Sequence, residues 1–127
     1  MQRRQLQTDQ APAAIGPYVQ GVRAGELVFT SMQIALDPRS GELVGKTATE
    51  QARQCLENVQ AVVAAAGLEL RHIVKVTVYL TDLAQFGPVN EIYAGYFPGD
   101  RPARAVVEVR ALPKDALVGV EAIAAAS

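Results

Sequence analysis

Ile73-Val-Lys-Val-Thr-Val-Tyr-Leu80 is the stretch on which the architecture turns. Side chains alternate across a strand, so Val74, Val76, Val78 and Leu80 point one way and Ile73, Lys75, Thr77 and Tyr79 the other. Upstream of it lies a helix. Thr47 and Glu50 have the spacing of a capping box, and Ala52, Cys55, Leu56, Val59, Val62, Val63 and Ala66 then recur at three- and four-residue steps. Gly67 supplies the stop. Downstream, Gly87-Pro88 opens a second helix, with proline at a tolerated first position. Its stripe is Val89, Ile92, Tyr93, Tyr96 and Phe97, and Pro98 ends it. These aromatics stand at helical spacing and read as core packing. Two strands follow, Ala103 to Val109 and Leu117 to Ala125.

Toward the N-terminus, Tyr18 to Val22 and Leu27 to Ser31 read as a hairpin about Ala24-Gly25-Glu26. Asp37-Pro-Arg-Ser-Gly41 is a turn joining Ile34–Leu36 to Leu43-Val44. Met1 to Gln10 is a polar arm without the apolar stretch of a signal peptide. No repeat or linker interrupts the chain, so one domain is expected over residues 1–127. The last strand is apolar on both faces except for Glu121, which calls for cover from both sides. Two helices cover one face of such a sheet, and no further segment remains for the other. A homo-oligomer follows as an expectation.

Composition narrows the chemistry. Net charge is −1, and the longest basic run is Arg3-Arg4, against the basic stripe that a nucleic-acid partner demands. No window approaches the roughly 18 apolar residues of a membrane span. With one cysteine an internal disulfide cannot form, and a cytoplasmic location is expected. Cys55 lies on the apolar helix face and reads as a small buried hydrophobe. The single histidine, His72, abuts a strand and reads as a strand-end residue rather than a triad base, and the usual His/Cys ligands of a zinc site are lacking. Chemistry must then come from Arg, Glu, Tyr, Ser, Asn, backbone groups or water.

Several stretches together resemble the RidA (reactive-intermediate deaminase) family across nearly the whole chain. They are Ala11-Pro-Ala-Ala-Ile-Gly-Pro-Tyr18, Thr30-Ser-Met-Gln-Ile34, Gln51-Ala-Arg-Gln54, Glu57-Asn-Val59, Val89-Asn-Glu-Ile-Tyr93, Pro102-Ala-Arg104 and Leu112-Pro-Lys114. The resemblance implies a chorismate-mutase-like α+β fold, a mixed sheet with two helices packed on one face. Three such subunits would form a trimeric barrel with ligand clefts between neighbours. It also implies hydrolysis of 2-imino acids, such as those released from serine or threonine by pyridoxal-phosphate enzymes, to 2-oxo acids and ammonia. Neither metal nor bound cofactor is implied.

Residue by residue, Arg104 matches the family's substrate-anchoring arginine, whose planar fork suits a carboxylate. The alternative is an ordinary arginine pairing with Glu108 on the same strand face. Tyr18 matches a cleft tyrosine able to orient substrate or water, and Ser31 and Asn90 match polar residues that line or brace the cleft. Val106 stands where many relatives carry cysteine, in a role that belongs largely to the backbone. Two departures matter more. Met32 replaces a glycine whose backbone approaches the ligand, and Gly119 replaces a glutamate held to activate the attacking water.

Losing such a general base costs about 10²–10⁴-fold in rate, or roughly 3–5 kcal/mol of barrier. Glu121 shares a strand face with Gly119 but lies about 7 Å further along, so both a catalytic and a structural role stay open for it. A glutamate at position 119 reads as tolerable in a strand unless the position needs a positive φ or the close approach of a ligand. Three readings follow: an imine hydrolase of reduced or altered activity, a binding protein for small carboxylic acids, and an enzyme redirected to a larger substrate. A ribonuclease role finds no support in the charge pattern.

Overall fold

The capping pair works as spaced. In the computed structural model, which describes residues 2–126, the Glu50 N–H donates to the Thr47 hydroxyl at 3.2 Å and the Thr47 N–H donates to the Glu50 carboxylate at 3.1 Å. Helix α1 then runs Ala48–Ala64. Gly67, at φ +79°, takes the left-handed conformation that closes a helix end at little steric cost. Cys55, Leu56, Val59, Val62 and Val63 are buried along one face, as their spacing requires. Burial pushes the Cys55 thiol far above its ordinary range, which leaves it a packing group.

The remaining elements are β1 (Arg3–Leu6), β2 (Gly21–Ala24), β3 (Leu27–Thr30), β4 (Gln33–Ile34), β5 (Ile73–Leu80), α2 (Phe86–Tyr96), β6 (Ala103–Glu108) and β7 (Val118–Ala125). The strands form a single mixed sheet in the order β1-β2-β3-β7-β5-β6, with β4 also pairing with β7. Only β5 and β6 are parallel, joined through α2, because a parallel pair needs a long crossover. α1 packs on β7, β3 and β4, and α2 packs on α1. The fold is α+β with both helices on one face. Val76, Val78 and Leu80 of β5 are buried in the core with Val118, Val120, Ala122 and Ala124 of β7.

Three details depart from the sequence expectation. Arg3–Leu6, read as an arm, is an edge strand paired with β2. Tyr18 to Gln20 lies outside the hairpin, whose strands begin at Gly21. The β5 alternation breaks at its start: the register slips between Ile73 and Lys75, so Val74 bulges outward at 47% exposure while Ile73 is buried.

Buried amides tie the loops to this frame. Gln51 accepts from the Leu117 N–H at 2.7 Å, and Asn58 donates to the carbonyls of Ile34 and Leu36. Gln20 accepts from the Thr8 N–H at 2.8 Å and donates to the carbonyls of Thr8, Ala11 and Pro12. On the face away from the helices, Leu27 (41%), Phe29 (39%) and Val107 (40%) are exposed, a large apolar area for a single chain to leave uncovered. Among the described residues no helix is long and apolar enough to cross a membrane.

Candidate functional site

Where the chain enters and leaves the hairpin, it walls a cavity of about 790 Å³ lined by Ile15, Tyr18, Ser31, Met32, Leu36 and Pro113 among others. Tyr18 is half exposed and also lines an adjoining cavity of about 620 Å³. The Ser31 hydroxyl donates to the Val19 carbonyl at 2.5 Å, and its N–H donates to the Gln20 carbonyl at 2.9 Å. Ser31 therefore braces the cavity wall, with oxygen lone pairs left to accept.

Met32 reaches from this cavity onto β7. A Cβ built on Gly119 would sit 2.8 Å from Met32 Sδ and 3.2 Å from its Cγ, with Leu112 Cδ2 at 3.7 Å. Gly119 does not adopt a positive φ, so space rather than backbone conformation demands the glycine. The expectation that a glutamate fits here on its own is corrected: the approach is close, and the approaching group is Met32.

Beside them, Lys114 and Asp115 both adopt left-handed backbone, at φ 59° and 57°, in a turn closed by the Ala116 N–H on the Pro113 carbonyl at 3.1 Å. Two consecutive non-glycine residues in that region are strained, and strain of this kind clusters at ligand sites. The Lys114 ammonium donates to the Gly41 carbonyl at 3.4 Å and lines the cavity, as does Arg39. The Leu112-Pro-Lys114 motif carries no local sequence signal for this conformation.

Arg104 lies elsewhere. Its guanidinium carbon stands 4.7 Å from the Tyr93 ring centroid and 5.4 Å from that of Phe86, and it donates to Asn90 Oδ1 at 2.6 Å. Two rings and an amide thus hold the fork. Glu108 is not its partner, because that carboxylate accepts from the Leu83 N–H at 2.7 Å. Among the described residues the only ion pair joins Arg71 and Glu69, so no carboxylate neutralises Arg104. Tyr93 packs in the core as its spacing implied, yet its hydroxyl is buried without a partner. Burial pushes that phenol up, against the opposing charges of Arg104 and Arg101. The bed of Phe86 and Tyr93 was missed from sequence.

The register decides which residues meet. Arg104 pairs with Val76 and Val106 with Val78, so both share the helix-covered face. Gly119 pairs with Tyr79 and Glu121 with Thr77, on the opposite face. The fold therefore brings Tyr18, Ser31, Met32 and Gly119 into one group and Arg104, Asn90 and Val106 into another. Glu121 belongs with neither, for it accepts from the Tyr79 hydroxyl at 3.0 Å. That phenol is pushed up by burial first and by the Glu121 carboxylate second. Among the described residues no three His, Cys, Asp or Glu side chains cluster as metal ligands.

Known proteins resemble this chain over nearly its whole length. The family model described as endoribonuclease L-PSP matches residues 8–126. The chain is 52% identical over 122 residues to 2-iminobutanoate/2-iminopropanoate deaminase of Salmonella typhimurium, covering 94% of each chain. It is 48% identical over 122 residues to the mouse protein of the same name, covering 96% of this chain and 90% of that one. Among solved structures, Escherichia coli TdcF with bound serine superposes with a TM-score of 0.93 at 47% identity, covering 98% of this chain and 99% of that one. RidA from the Antarctic bacterium Psychrobacter does so at 0.92 and 43%, covering 96% and 98%. With the motifs, the sheet order and these relatives in agreement, the chain belongs to the RidA family, which also goes by the description endoribonuclease L-PSP.

Proposed function

We propose that this protein hydrolyses small 2-imino acids to 2-oxo acids and ammonia, in clefts that form where the Arg104 group of one copy faces the Met32 group of another in a trimer. The observation that carries this reading is the unneutralised guanidinium of Arg104, held by Phe86, Tyr93 and Asn90. One N–H is spent on Asn90, and the rest of the fork is free for a carboxylate, a charge-assisted contact worth on the order of 1.5–3 kcal/mol. Because Arg104 and Gly119 lie on opposite faces of one sheet, a cleft containing both needs a second copy. Relatives named imine deaminases, and one solved with serine, support a small amino-acid-like substrate.

The chemistry balances with water alone. Water adds to the carbon of the protonated imine, a proton passes from oxygen to nitrogen, and ammonia leaves as the carbonyl forms and the remaining hydroxyl proton passes to it or to water. Arg104 fixes the carboxylate, and the Tyr18 hydroxyl orients the imine nitrogen or the water. Gly119 offers no carboxylate, and Glu121 is engaged by Tyr79. Rate therefore comes from positioning, which is a large term by itself, and falls below that of a site carrying a general base. The same two observations favour a second reading, a binding protein that retains 2-oxo or 2-imino acids without turning them over.

The test is release of 2-oxo acid from 2-iminopropanoate and 2-iminobutanoate generated in situ, with calorimetry of pyruvate and 2-oxobutanoate. Acceleration over buffer that is lost in Arg104→Ala, with binding weakened at least tenfold and only partly rescued by lysine, supports the hydrolase. Binding without acceleration replaces it by the second reading. Equal binding by wild type and Arg104→Ala makes Arg104 structural and overturns both.

A further inference from the structure

We propose that Met32 and Gly119 form one specificity element that selects 2-imino acids with apolar side chains, an inference that rests on the imine-hydrolase reading. Met32 Sδ occupies the place that a side chain on residue 119 would take, and Leu112 closes the same space from a third side. Held over Gly119, the thioether presents its other flank to the 790 Å³ cavity. What any side chain on β7 would contribute there, Met32 contributes instead.

The surrounding wall agrees. Ile15, Leu36 and Pro113 line it, and the side-chain donors of Ser31, Gln33 and Gln20 are spent within the chain. Ser31 donates to Val19, Gln33 to the Ser31 carbonyl, and Gln20 is engaged by Thr8, Ala11 and Pro12. A substrate side chain that needs a donor beside Met32 would find these three spent, which sites punish strongly. An apolar one meets a polarisable, adaptable thioether. Arg39 and Lys114 are exposed and stand at the outer part of the cavity, so an acidic side chain is the competing preference the experiment must measure.

Three 2-oxo acids serve as probes in calorimetry: 4-methyl-2-oxopentanoate, pyruvate and 2-oxoglutarate. Wild type is expected to bind the branched acid at least tenfold tighter than pyruvate, within the range that extra methylenes give in an apolar pocket. Met32→Gly should shrink that ratio at least fivefold, and Met32→Leu, similar in volume and apolar, should preserve it. An unchanged ratio in Met32→Gly, a preference for 2-oxoglutarate, or binding of none of the three overturns the inference. Turnover of the matching imines, followed in parallel, separates the two failures. An intact binding preference without turnover strikes the hydrolase reading alone.

Discussion

A glutamate introduced at position 119 would have to enter space that Met32 Sδ already fills. Methionine is flexible enough to move, but it then gives up its seat over Gly119 and pushes into the cavity. Gly119→Glu alone is therefore expected to lower thermal stability and to leave 2-iminopropanoate hydrolysis unimproved. Met32→Gly with Gly119→Glu frees the space and should raise that rate about tenfold, within the usual range of a placed acid–base group. Initial rates of 2-oxo acid release on both variants check this, and equal rates for the two would show that residues 32 and 119 act independently. Arg104, Asn90, Tyr18 and Ser31 could be singled out as candidates only because short motifs around them resemble a family. The contact between Met32 and Gly119 was not, because helical and strand periods report neighbours within an element and nothing about residues brought together by the sheet. Tyr93 shows the same limit: its spacing marked it as core, and spacing cannot say that a core ring also lies under a guanidinium.

At the scale of elements, α1 was the most legible part, since the Thr47–Glu50 box, the apolar stripe and Gly67 are all local signals. That box also titrates. The N–H groups of Lys46 and Thr47, then the Thr47 hydroxyl, hold the Glu50 carboxyl below its ordinary 4.5. Asp37 is held below 3.8 by the N–H groups of Ser40 and Arg39 in the turn before it. A carboxyl with a depressed folded-state pKa stabilises fully above its ordinary value, and the benefit is lost as pH falls from there through the lower folded-state value. Urea unfolding of wild type and Glu50→Gln should thus show wild type ahead at pH 7 and the gap closing below about pH 4. A gap that persists in acid would assign the effect to side-chain shape rather than charge. Strand β1 escaped notice because Arg3-Arg4-Gln5 is exposed on an edge and carries no apolar alternation. The bulge at Val74 escaped because it preserves the sequence pattern while reversing which face the pattern serves.

For the whole molecule, the uncovered face of the sheet is what the proposed assembly would bury. Leu27, Phe29 and Val107 are exposed on it, so the protein is expected to run as a trimer in size exclusion with light scattering at micromolar concentration, and Phe29→Glu as smaller species. A well-folded wild-type monomer would remove the assembly and the shared cleft together. At the opposite end of the chain, one side chain sets how the cavity wall is attached. Gln20 holds the Thr8 amide and the carbonyls of Thr8, Ala11 and Pro12, so a run of backbone that belongs to no strand or helix takes these hydrogen bonds from one buried amide, beside the buried Ala11. Pro12, Ile15 and Tyr18 follow directly along that run and form part of the cavity. Its bonds cannot fray one at a time from the end, as a strand's can. When that amide lets go they open together, so local unfolding of the N-terminal segment and reshaping of the cavity wall are coupled.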